Sequence, residues 1–218
     1  MLESYSADAG CTGFASDSIL AWMKDVIAAD ADLAIRRIRD HPDDYALIVA
    51  WRNNPHVREW WDPDEQPMTM SGAIEQLGPQ TRGDDPTTPC IIEHDGIPVG
   101  YIEFYPWDAE KPYLAEVGVS LPKGSWGLDI FIGESGLVSK GIGSRTVRLI
   151  SNTLFAERGA TAVALIMEAG NGRAQAAYTR AGMRVSGEPF LDTDMRDGQR
   201  VESILMIRDR PGGTADGR

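Results

Sequence analysis

One residue in an apolar run asks for an explanation first. Residues 126–133 read Trp-Gly-Leu-Asp-Ile-Phe-Ile-Gly, a strand whose alternation sets Trp126, Leu128, Ile130 and Ile132 against Asp129 and Phe131. A carboxylate in such a strand is costly unless it is paired or faces a cleft; in a cleft it can take a proton or hold a cation. Shortly after it comes Val138-Ser139-Lys140-Gly141-Ile142-Gly143-Ser144, which opens a helix-like run to about residue 157. Small residues there leave bare N–H groups at a helix start, where the helix dipole favours an anion such as a pyrophosphate. A Walker loop would need Lys and then Ser or Thr right after its last Gly, and a dinucleotide fingerprint would need Gly at Thr146; the letters exclude both. A bare glycine turn would read the same way. A third stretch, 171–183, follows the apolar run 162–167. Asn171 can cap its helix, Asn171, Ala174 and Tyr178 share one face, and Gly182 stops it. A phenol at Tyr178 can give a proton or a hydrogen bond.

These groups need a scaffold. Residues 33–39 alternate as a first strand, and Pro42 opens a helix with Asp43 and Asp44 in its first turn and an apolar stripe of Tyr45, Leu47, Ile48 and Trp51. It should stop near Asn53-Asn54-Pro55. The polar loop after it carries Trp60 and Trp61; adjacent residues cannot both face one core, so at least one indole is expected to wall a pocket. A helix over 68–77, a loose stretch over 78–89 and a hairpin over 90–105 turning at Asp95-Gly96 follow. Tyr101, Glu103 and Tyr105 then share the side opposite Ile102 and Phe104. An irregular loop covers 106–125, and two late strands, 184–188 and 202–207, flank a turn over 192–198.

The expected organisation is one α/β (α+β) domain over 34–210, a mixed, mostly antiparallel sheet flanked by helices. It is preceded by a partly helical extension, 1–33, and followed by a disordered tail, 211–218. In the extension Asp17 caps a helix with Ile19, Leu20, Met23, Val26 and Ile27 at helical spacing. No apolar run approaches the roughly 20 residues that span a bilayer, and residues 1–4 lack a secretory pattern, so no membrane partner and a cytoplasmic location are expected. Cys11 and Cys90 have no metal spacing, nor do His41, His56 and His94, so no metal is expected. The net charge of −12, from 33 acidic and 21 basic residues, argues against nucleic acid and for a cationic small molecule.

In order and motif, the strand, glycine turn, helix, strand and short Asn/Tyr helix resemble the GCN5-related N-acetyltransferase (GNAT) superfamily. The resemblance implies acetyl-CoA as cosubstrate, with its pyrophosphate on Ser139, Lys140, Gly141, Ile142, Gly143 and Ser144. It implies that Asn171, Ala174, Ala177 and Tyr178 meet the cofactor arm and the departing sulfur. Acetyl transfer to an amine needs the amine neutral, the thioester carbonyl polarised and a proton for the thiolate. Asp129 suits the first task, backbone N–H groups of Ile130, Phe131 and Ile132 the second, and Tyr178 the third. Within the superfamily, the runs 56–61, 98–101 and 127–134 look like bacterial aminoglycoside 6'-N-acetyltransferases, over about 34–208. That likeness implies drug contacts from Glu103, Tyr105, Glu168 and Asp197, beside sugar-facing Trp60 and Trp61, and resistance as the outcome. Val138 stands where relatives often carry Gln or Arg, so one phosphate contact is either missing or supplied by Lys140. Ile130 stands where many carry Gln, which leaves substrate range open. The 6'-amine is favoured over a 2'-amine as in kasugamycin-like drugs. A siderophore-type N-hydroxylysine acyltransferase and a non-catalytic metabolite sensor are the alternatives, and the chain is expected to be a monomer or homodimer.

Overall fold

A computed structural model describes residues 25–212. Its elements are β1 (Val26–Asp30), β2 (Leu33–Arg37), α1 (Pro42–Arg52), α2 (Pro55–Arg58), α3 (Met70–Arg82), β3 (Thr88–His94), β4 (Ile97–Pro106), α4 (Lys111–Val117), β5 (Trp126–Ile132), α5 (Ile142–Glu157), β6 (Ala162–Glu168), α6 (Gly172–Arg180), β7 (Arg184–Arg196) and β8 (Gln199–Asp209). They form one eight-stranded sheet in the order β1-β2-β3-β4-β5-β6-β8-β7. Every neighbouring pair is antiparallel except β5 and β6. The expected mixed α/β architecture therefore holds.

Period-two alternation sends side chains to two cores. Ile35, Ile92, Ile102, Phe104, Leu128, Val163, Leu165 and Met206 meet Val147, Ile150 and Leu154 of α5 on one face. Each of those three helical residues is fully buried, an arrangement stabilising by roughly 1.5–3 kcal/mol per side chain. On the other face Ile91, Tyr101 and Phe131 meet Tyr45, Ile48 and Trp51 of α1 and Ala73 and Leu77 of α3. A third cluster sets Trp107 and Leu114 on Ala162, Ala164, Leu205 and Ile207. A buried ion network ties β2 to α1 and β3: Arg36 donates to Asp44 Oδ2 and Glu93 Oε1, both at 2.7 Å.

Four expectations are corrected. Val26 and Ile27 lie in strand β1, not a helix, and β1 pairs with β2, so part of the expected extension belongs to the sheet; the remainder of the expected helix, 17–24, lies outside the described residues, as does the tail from 213. The loose stretch 78–89 is helical to Arg82 despite Pro79. An interior proline costs about 3 kcal/mol, but burial of Ala73 and Leu77 holds the helix, and Gly83 at φ +80° ends it. The loop 106–125 contains a 3₁₀ turn, Trp107–Ala109, and α4, fixed by Trp107 Nε1 donating to Ala164 O at 3.0 Å. The turn expected over 192–198 shrinks to Asp197-Gly198, both at positive φ as a two-residue hairpin turn requires, so β7 runs on to Arg196. Among the described residues no helix is long and apolar enough to cross a membrane.

Candidate active site

Strands β4 and β5 build a floor of two acids. Their register pairs Glu103 with Asp129, Tyr101 with Phe131, and Tyr105 with Gly127. Tyr101 Oη donates to Glu103 Oε2 at 2.5 Å, and Tyr105 Oη donates to Asp129 Oδ2 at 3.0 Å. The second bond depends on Gly127: a Cβ there would sit 2.4 Å from the Tyr105 ring. Only a bare glycine lets that ring lie across β5 and reach Asp129. No cation is paired with either carboxyl among the described residues. Burial pushes the Glu103 carboxyl above the usual carboxylate range and the charge of Asp129 pushes it further. Burial also raises Asp129; the Tyr105 bond opposes this, while Asp194 and Asp62 add to it.

Beside this floor the sheet opens. β5 and β6 pair only at Trp126 with Val163 and Gly127 with Ala164, and then diverge. Gly133 N donates to Val99 O on the β4 side. Alternation therefore turns the backbone of Phe131 toward β4 and those of Ile130 and Ile132 into the gap. His56 Nε2 lies 3.0 Å from Ile132 O in that gap, where the carbonyl accepts. A cavity of about 840 Å³ runs through the opening and joins two arms of different chemistry.

One arm is formed by the α5 and α6 starts. Ser139 and Gly141 are both left-handed, at φ +63° and +89°, and α5 has no side-chain cap, so its first N–H groups remain available. Gly143 has nothing within 4 Å of where a Cβ would sit. The protein does not need glycine there, whereas a ligand lying against the helix start would. Val138, Ser139, Gly141, Gly143 and Ser144 line this arm with Asn171, Ala174, Ala177 and Tyr178. Asn171 Oδ1 accepts from Ala174 N at 3.1 Å, which fixes the start of α6. The Tyr178 hydroxyl has no hydrogen-bond partner among the described residues, and burial with the nearby Asp129 charge pushes its pKa up, keeping the phenol protonated. Two expected contacts fall elsewhere: Ile142 is a core residue and Lys140 is exposed outside the cavity wall. The cations lining this arm are instead Arg173 and Arg180 of α6.

The other arm is acidic. Glu103 and Asp129 form its floor, with Asp62, Asp64 and Glu65 on one wall and Glu110, Asp192 and Asp194 on another. Asp62 is paired with Arg52 at 2.5 Å, and Asp192 accepts from Tyr113 at 2.8 Å. The Asp194 carboxyl is raised, first by burial and then by Asp192, Asp62 and Glu168. Trp60, Trp61, Tyr105 and Glu168 line the arm as expected, but both indoles and Glu168 are engaged by arginines. Arg52 lies 5.3 Å over Trp61 and Arg196 lies 5.3 Å over Trp60. Arg196 also pairs with Glu168 at 2.7 Å. Asp197 sits at the hairpin tip and does not line the cavity; the longer β7 puts Asp194 on the wall in its stead. Not legible in the sequence were His56, which reads there as part of a polar loop, and Glu110 and Tyr113, hidden in a stretch with the composition of a loop. Among the described residues no group of three or more His, Cys, Asp or Glu is placed to hold a metal ion.

Comparison with known proteins agrees with this fold. The family model for the acetyltransferase (GNAT) domain matches residues 40–190. An aminoglycoside N(6')-acetyltransferase type 1 from Klebsiella pneumoniae is 26% identical over 170 residues, 74% of this chain and 79% of the relative. A solved structure of AAC(6')-Ib in complex with ribostamycin and coenzyme A superimposes with a TM-score of 0.68 at 23% identity, covering 86% of this chain and 100% of that one. A spermidine N-acetyltransferase from Vibrio cholerae, solved with CoA and spermine, gives 0.64 at 16% identity, covering 83% and 97%.

Proposed function

The chain belongs to the GNAT acetyltransferase domain family, and on that premise we propose that it transfers the acetyl group of acetyl-CoA directly to an amine of an aminoglycoside antibiotic, the 6'-amine being favoured. Acetyl-CoA supplies the activated acyl group. Ser139, Gly141, Gly143 and Ser144 offer backbone N–H groups to its pyrophosphate, assisted by Arg173 and Arg180, and Asn171, Ala174 and Ala177 border its arm. Ile130 and Ile132 turn N–H groups toward the acyl oxygen, which stabilises the charge that develops there. Asp129 holds the incoming ammonium and takes its proton, directly or through a water, leaving a neutral nitrogen to attack. Tyr178 gives a proton to the departing sulfur and regains one through water from the nitrogen, which sheds its second proton on becoming an amide; the products are the N-acetylated drug, free CoA thiol and the proton on Asp129, which passes to solvent.

The observation that carries this reading is the position of Asp129: a carboxylate without a cation partner among the described residues, where an anion-seeking arm and an acidic arm meet at the gap in the sheet. Aminoglycosides are polyamines, and Glu103, Asp194, Glu110 and Asp64 attract such a cation over a longer range than a neutral wall. Relatives named for aminoglycosides and for spermidine share this preference for polycations. The reading implies work in the cytoplasm, where acetyl-CoA is made, and drug resistance as its consequence.

Mixing the protein with acetyl-CoA and a panel of aminoglycosides tests it. Drug-dependent thiol release is expected, with NMR of the product placing the acetyl group on the 6'-nitrogen. Release only with N-hydroxylysine would transfer the chain to the siderophore-type acyltransferases, and ligand binding without release would make it a sensor. Tyr178→Phe is expected to lower kcat by about 10²-fold with KM for the drug within about twofold, because the phenol acts on the leaving thiolate and not on drug binding. Steady-state kinetics at saturating acetyl-CoA checks the split.

A further inference from the structure

We propose that Glu103 is a positioning residue for the reaction: it and Asp129 form one proton-sharing carboxyl pair, and Glu103 thereby sets the pH at which Asp129 becomes a working base. The inference rests on the acetyl-transfer reading above for its functional half. Its structural half rests on the directly opposed register of the two residues, on the same side of β4 and β5. Each acid is braced by its own tyrosine hydroxyl, Tyr101 to Glu103 at 2.5 Å and Tyr105 to Asp129 at 3.0 Å. Those two phenols orient the carboxyls and occupy one oxygen of each.

The surroundings leave the pair short of positive charge. Around Glu103 stand Tyr101, Arg52 of α1, Asp85 of the α3–β3 loop and Cys90 of β3, and only Arg52 among these brings a positive charge. Around Asp129 stand Tyr105, Asp194 of β7, Asp62 of the loop after α2, Tyr178 of α6 and Tyr113 of α4, with no cation among them. Two half-buried acids facing each other do not both ionise easily; one proton leaves the pair first and the second leaves only at a higher pH. While the pair holds one shared proton Asp129 is only partly ionised, and it carries its full charge only once that second proton has left. With both ionised, each raises the affinity of the other for a proton.

Two measurements on the intact protein test this. In the first, carboxyl-carbon NMR follows the titration of Asp129 without any substrate. Wild type is expected to show Asp129 titrating in two linked steps, and Glu103→Gln to leave a single step for Asp129 at a pH about one unit below the second of them. An Asp129 curve unmoved by Glu103→Gln overturns the proposal, whether or not the enzyme turns over any drug. In the second, the acid limb of kcat/KM for an aminoglycoside is expected to move down by the same interval in Glu103→Gln and to return toward the wild-type position in Glu103→Asp. A loss of kcat/KM that is uniform at every pH would reduce Glu103 to a structural or drug-binding role and overturn the proposal, while leaving the acetyl-transfer reading intact. Failure of wild type to release thiol with any drug would sink that reading, and the NMR titration would still decide the pairing.

Discussion

Replacing Asp129 by Asn is expected to lower kcat for drug acetylation by about 10³-fold while acetyl-CoA binds as in wild type. The amide keeps the size of the carboxylate and can still accept from Tyr105, so the site should hold its shape. What disappears is the charge that binds the ammonium and the basicity that removes its proton, contributions of roughly 10²–10⁴-fold in general base catalysis. The cradle arm lies on the far side of the gap and makes no use of this residue. Stability should move the other way. A carboxyl whose pKa is raised on folding holds its proton more tightly in the folded state, so its contribution is present below the unfolded pKa and is lost as pH rises through the folded one. The Asp129→Asn variant has no proton to lose at this position and escapes that loss, so its melting temperature at neutral pH is expected to stay level or rise. Stopped-flow turnover, equilibrium binding of CoA and thermal unfolding on one preparation separate these outcomes. Low turnover with a fallen melting temperature would indicate structural damage in place of lost chemistry.

The second large effect is expected at Gly143. Substitution by Glu there should weaken acetyl-CoA binding by about 100-fold and leave the fold unharmed. Nothing in the protein stands within 4 Å of the new Cβ, and the position is helical, where removing a glycine favours the helix by about 0.5–1 kcal/mol. An acid in the first turn of α5 also suits the helix dipole. That same carboxylate would compete for the N–H groups of the helix start and repel a pyrophosphate. Each hydrogen bond to a charged group contributes about 1.5–3 kcal/mol, so losing one or two accounts for the expected weakening. Calorimetric titration of CoA, compared with the melting temperature, checks both halves. Unchanged CoA binding would remove the α5 start from the cofactor site.

The legible parts of this chain are those written in short-range periodicity. The alternation of β4 and β5 is enough to put Glu103, Tyr105 and Asp129 on one face, since a strand has only two sides. The spacing of Asn171, Ala174 and Tyr178 is enough to put them on one side of α6, where all three line the cavity. Less legible are positions decided by tertiary competition. Lys140 sits between two cavity-facing residues and stays outside the wall, because the left-handed Ser139 and Gly141 rotate the chain on either side of it. Asp194 and Asp197 cannot be told apart until the hairpin turn closes at Asp197-Gly198. The indoles of Trp60 and Trp61 read from sequence as open walls, but Arg196 and Arg52 lie over them, and no local pattern links these residues to their arginines. Pro79 and Gly78 look like loop residues, yet burial of Leu77 outweighs their preference.

The most direct measurement is a crystal structure of the protein with CoA and an aminoglycoside bound together. The amine to be acetylated is expected within hydrogen-bond distance of Asp129, with the CoA sulfur beside the Tyr178 hydroxyl and the pyrophosphate on the start of α5. A drug seated outside the acidic arm, or a reactive amine separated from Asp129 by more than one bridging water, would contradict the account.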